Sequence, residues 1–142
     1  MAVDEPSPFG RRLESTTEQY LDQLGECVEM LPSLITAHEE DETRHQIVDD
    51  IGAREDACDA TKLELGQLVT DVDAEEIGLR LTQIHVHADR LLALYGHLDS
   101  IANSAEQFAV GLTAIDPKRR ENCLEGLREI AEIAVTAMAH LN

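Results

Sequence analysis

Two short stretches carry side chains that could hold a cation. "HVHAD" sets His85 and Asp89 four residues apart, and "EDACD" does the same for Glu55 and Asp59. Four residues is just over one helical turn, so each pair shares a helix face. Three carboxylates at close range raise each other's proton affinity, and a cation relieves that repulsion. Such a donor set suits iron, manganese, zinc or nickel better than a copper–thiolate centre. The chemistry implied is a divalent or ferric metal ion held between two helices. The competing account is ordinary surface pairing. On so acidic a chain these spacings arise by chance, and Arg54, Lys62, Arg80 and Arg90 are near enough in sequence to pair with the acids at little gain. His87 points away from His85 and reads as solvent-facing.

For the two pairs to meet, the chain must fold back between them. No stretch alternates with period two between turn clusters, whereas helical periodicity runs almost throughout. A first helix is predicted over residues 12–37, with the stripe Leu13, Thr17, Tyr20, Leu24, Val28, Leu31 and Ile35. Pro32 lies inside it and predicts a kink. A second helix over 42–70 carries Ile47, Ile51, Cys58, Leu65 and Val69, and Glu55 falls on the same seam. A third, over 77–112, keeps a heptad seam from Ile77 through Tyr95 to Leu112, with Gly96 placed to bend it and Gly111 to help end it. A fourth opens at "DPKRRE", with Asp116 as cap and Pro117 in the first turn, and carries Leu124, Leu127, Ala131, Ala134, Met138 and Leu141. Short links predict antiparallel neighbours, hence an all-α antiparallel bundle of about four long helices. Residues 1–10 are expected to form a flexible arm and residues 11–142 one bundle domain. A turn centred on Val72 would set Glu55 level with Asp89, and Asp59 level with His85.

Composition narrows the partners. The 142 residues carry 29 acidic and 11 basic side chains, a net charge of −18, which repels nucleic acid. Aromatics are 3% and tryptophan is absent, so the core must be aliphatic. Lysine occurs only at Lys62 and Lys118. An acidic chain so poor in lysine resembles proteins of salt-loving archaea, in which molar salt screens self-repulsion. The three cysteines, Cys27, Cys58 and Cys123, sit in helical patterns without a CxxC pair and read as small buried hydrophobes. No apolar run is long enough for a membrane span, and "MAVDEPSPFGRR" lacks the apolar core of a signal peptide. The expectation is a cytoplasmic protein without membrane insertion.

The ordered set of motifs resembles the PhoU-like phosphate-transport regulators. That family has antiparallel helical bundles with E/DxxxD motifs, matched here by Glu55 to Asp59. An acidic turn entering the next helix follows, resembled by "DAEEI" from Asp73 to Ile77. The second acidic pair is matched by "HVHAD", where Asp89 agrees and His85 stands in place of the usual aspartate. The resemblance covers roughly residues 25–115. It implies metal bound through Glu55, Asp59, His85 and Asp89, and a regulatory or adaptor role beside a phosphate transporter or signalling protein. Family members carry two three-helix halves with a second E/DxxxD set; this chain is shorter, and its fourth helix offers no such motif.

Catalysis is not expected. No serine, cysteine or lysine nucleophile sits beside a base, and no glycine loop is built to cradle phosphate. A carboxylate-bridged metal enzyme is the alternative, but it would draw carboxylates from four helices. A helical interaction module without a site is the third reading. The missing half predicts a homodimer, with Leu98, Ile101, Ala105, Phe108 and Leu112 as the face to be covered, either by a second copy or by the fourth helix.

Overall fold

The computed structural model describes residues 7–37, 40–71, 81–115 and 121–141, and for 81–87 and 121 the backbone alone. All regular structure among these residues is helical: α1 (Pro8–Glu29), α2 (Leu31–Thr36), α3 (Asp41–Thr70), α4 (Leu81–Ala114) and α5 (Glu121–Ala139).

Ser7 caps α1, its hydroxyl accepting from the Gly10 N–H at 3.1 Å, and Pro8 takes the first position, where no N–H is needed. The helix therefore starts inside the stretch expected to be an arm, and Phe9 is buried. The disturbance foreseen at Pro32 is a one-residue interruption at Met30, whose backbone stays in the right-handed helical region and whose carbonyl accepts the Leu34 N–H at 3.0 Å. Proline has no N–H to bond the Val28 carbonyl, so α1 stops at Glu29 and α2 restarts with Pro32 in its first turn. In α3, Asp41 and Glu42 lie at the positive end of the helix dipole. The fourth helix's expected start, at Asp116 and Pro117, lies outside the described residues, as do residues 77–80 of the third. Gly96 and Gly111 both lie within α4, which continues through them to Ala114.

Among the described residues the predicted stripes are buried or half-buried, except Leu141, which is 48% exposed. Tyr20, Leu24, Leu34, Ile35, Ile51, Leu65, Cys27 and Cys58 are fully buried. Helix α1 is the hub, packing on α3, α4 and α5. Alanines 102, 105 and 109 present a flat strip on α4 that lets helices approach closely, at the expense of bulk. Helix α5 packs on α1 and α2 through Leu124, Ala131 and Met138.

Cross-helix pairs fix the register. Arg12 pairs with Glu64 at 3.3 Å and Arg54 with Glu26, so partners on α3 fall in number as α1 rises. Between α3 and α4, Lys62 meets Asp99 at 2.6 Å, and the Glu106 carboxylate lies beside Gly52. The face of α4 expected to need a second copy is covered within the chain. Ala105 and Leu112 are buried, and Leu98, Ile101 and Phe108 are partly buried against the core. The cover comes from α1, α2 and α3, whereas the fourth helix packs elsewhere.

Candidate functional site at the seam of α3 and α4

Glu55 occupies a core position of α3, between Ile51 and Cys58, and is only 8% exposed. Burial pushes its carboxyl above the ordinary value of 4.5, and the charges of Asp59, Glu106, Asp56 and Asp99 add to the shift in that order. The site can therefore hold a proton on a carboxylate that water would strip. The native state binds that proton more tightly than the unfolded chain. Its contribution to stability is thus full below the ordinary glutamate range and is lost as pH rises through the raised value. Glu55→Gln keeps the shape and removes the buried charge. It is expected to raise stability at neutral pH and to flatten the pH slope, read by urea unfolding between about pH 4.5 and about pH 7. A variant less stable than the parent across that range would show that the ionised carboxylate has a stabilising partner.

Around Glu55 lies a polar band. Lys62 Nζ donates to Asp99 Oδ2 at 2.6 Å, and Asn103 Nδ2 donates to the same oxygen at 3.0 Å. Asp99 Oδ1 is buried with no hydrogen-bond partner. The Tyr20 hydroxyl donates to the Tyr95 carbonyl at 3.3 Å, and the two rings meet edge to face at 6.2 Å. The hydroxyls of Thr17 and Tyr95 share a hydrogen bond of 2.9 Å. Burial, followed by the charge of Asp99, pushes the Tyr20 phenol well up, so it serves as a donor and not as a base. Beside this band a cavity of about 690 Å³ opens between the helices, lined by Asp59, Lys62, Leu63, Gly66, Leu92 and Tyr95 among others. Its lining is largely apolar, with one cation, one carboxylate, the polar side chains of Gln67 and Thr70 and the Tyr95 ring.

The four expected ligands fare differently. Glu55 is buried, while Asp59 and Asp89 are exposed. The side chain of His85 lies outside the described residues. The Lys62–Asp99 and Gly52–Glu106 contacts centre the α3–α4 pairing near residue 80, not at Val72. Glu55 therefore sits beside the Asp99–Glu106 stretch. Asp89 lies ten residues before Asp99, about 15 Å along the helix, so Glu55 and Asp89 do not share a level. Among the described residues, no group of three or more His, Cys, Asp and Glu side chains is placed to hold a metal ion. Asp99 and Glu106 escaped the sequence reading because they fall outside the E/DxxxD spacing. They stand seven apart on one flank of the α4 seam, and that spacing was the available signal.

The architecture defines an all-α helical-bundle protein, and no described helix is long and apolar enough to cross a membrane. Comparison with known proteins adds no relative: no family model, curated protein or solved structure matches the chain.

Proposed function

We propose that the chain is a non-catalytic helical adaptor of the PhoU-like kind, working through protein contacts in the control of phosphate transport. The observation that carries the adaptor reading is a second apolar stripe on α5. Cys123, Ile130, Ile133 and Ala137 follow helical spacing on a face beside the buried one, and Leu141 lies in the turn just past the end of α5. Ile130 is 64% exposed, Ile133 68% and Leu141 48%, so the stripe faces solvent. Bulky aliphatics aligned in this way mark a contact face.

The first occupant of that face is a second copy of this chain. Laid antiparallel across a twofold axis, Ile130 faces Ala137 of the other copy, and Ile133 lies near its own counterpart. Large residues thus meet small ones, and Glu129 on the rim approaches His140. A transporter or signalling protein is the working partner of the dimer. Within each copy, the order of the Arg12–Glu64 and Arg54–Glu26 pairs supports an antiparallel arrangement of α1 and α3.

The phosphate link rests on that resemblance and has its own test. Cells lacking the protein are expected to misregulate phosphate uptake, with Ile133→Glu failing to restore it. Unchanged uptake would remove the phosphate link and leave the contact face standing. The metal expectation is separable too. With Glu55 and Asp89 at different levels, elemental analysis of the untagged protein is expected to find no ion that depends on both. Stoichiometric iron, manganese, zinc or nickel lost in both Glu55→Ala and Asp89→Ala would restore the shared four-ligand site.

A further inference from the structure

Cys27 on α1 and Cys58 on α3 are fully buried, with their sulfurs 4.0 Å apart in a thiol–thiol contact in which either can donate. The core does not need them as a pair; any small apolar side chains would fill the space. Two chemistries use facing thiols: a soft metal ion and a disulfide. Their charge requirements differ. A metal dithiolate needs both protons removed, whereas thiol oxidation needs one thiolate at a time. The pair itself supplies two donors. A tetrahedral zinc site would need further ligands, and no group of three metal-ligating side chains is assembled among the described residues.

We propose that Cys27 and Cys58 are a redox pair that closes to an intramolecular disulfide, cross-linking α1 to α3, with hydrogen peroxide as the oxidant. A small neutral oxidant fits a pair that has no exposed surface. One thiol gives up its proton; the thiolate sulfur attacks one peroxide oxygen, the S–O bond forms, the O–O bond breaks, and the leaving hydroxide takes that released proton to become water. The second thiol then attacks the sulfenic sulfur. The S–S bond forms, the S–O bond breaks, and the departing hydroxyl leaves as water with that thiol's proton. Two sulfurs lose two electrons, two peroxide oxygens gain them, and the core's net charge is unchanged. The sulfurs must close to about 2.05 Å, a movement of side chains on two helices already packed together.

The cross-link joins residues 31 apart, so oxidation should raise the melting temperature by about 10 °C. The test uses the full chain carrying Cys123→Ser, since Cys123 is exposed and would confuse the count. After peroxide, thiols titrated in denaturant should fall from two to none, with the Cys27 and Cys58 peptides recovered linked. Dithiothreitol should reverse both the count and the melting shift, and Cys58→Ala should show neither. Should that variant fail to fold, the linked peptide from the Cys123→Ser chain decides alone. Two thiols still titrating after treatment, or oxygen gained on sulfur without a linked peptide, would overturn the proposal. So would a reduced protein that binds added zinc or copper(I) one to one with loss of both thiols, which assigns a metal site instead.

Discussion

Raising KCl from tens of millimolar into the molar range is expected to raise the melting temperature by about 10 °C or more. The cause is the net charge of −18 on a small bundle. Acids lie along every long helix, and many are exposed, among them Glu14, Glu18, Asp49, Asp50, Asp56, Glu125 and Glu132. The exposed Arg12–Glu64 and Arg54–Glu26 pairs offset little of this in water. Folding concentrates the charge, so repulsion weighs on the native state more than on the expanded chain. The Debye length falls from about 30 Å at 0.01 M salt to about 3 Å at 1 M, shorter than most spacings between these acids. The smeared Coulomb repulsion thus removed amounts to several kcal/mol. Thermal melts across a KCl titration supply the measurement. A flat or falling midpoint would remove self-repulsion, and with it the salt-adapted reading of the composition.

Leu24→Ala is expected to be the most damaging single truncation, at about 3–5 kcal/mol. Leu24 is fully buried on α1, the helix that packs on α3, α4 and α5, so its loss opens a cavity that several helices would have to move to fill. Few aromatics are present to relax into the space. The control is Leu63→Ala on α3, where the side chain is 64% exposed and the change should stay within about 0.5 kcal/mol. Urea unfolding of the two variants gives the comparison. Equal midpoints would mean that α1 is not the hub of the core.

Much of the helical frame can be read from the chain, because burial imposes its period on the residues. The second helix, expected over 42–70, spans Asp41–Thr70, and the prediction that Glu55 stands on the seam agrees with its burial. Pro32 was legible as the disturbance that separates α1 from α2, because it has no N–H to carry the helix bond on. Axial register was not legible. A heptad seam fits its partner almost equally well after a slide of one or two repeats, and the apolar pattern does not record which slide is used. Polar contacts such as Lys62–Asp99 choose among them, and they move the pairing centre from Val72 to near residue 80. Everything that depended on level followed: Glu55 met Asp99 and Glu106 instead of Asp89. The exposed stripe on α5 was hidden for a related reason. That helix is apolar on two adjoining faces: the stripe of Leu124, Ala131 and Met138 is the one the core takes, and Ile130 and Ile133 on the other stand exposed.

The contact face on α5 is tested most directly by solution mass in molar KCl. At micromolar concentration the protein is predicted to scatter as a dimer, twice the 15.7 kDa of the chain. The Ile130→Glu, Ile133→Glu double variant is predicted to scatter as a monomer with its helical circular dichroism intact, because both side chains stand outside the core. A parent protein of 15.7 kDa, or a double variant that stays dimeric, would contradict the account.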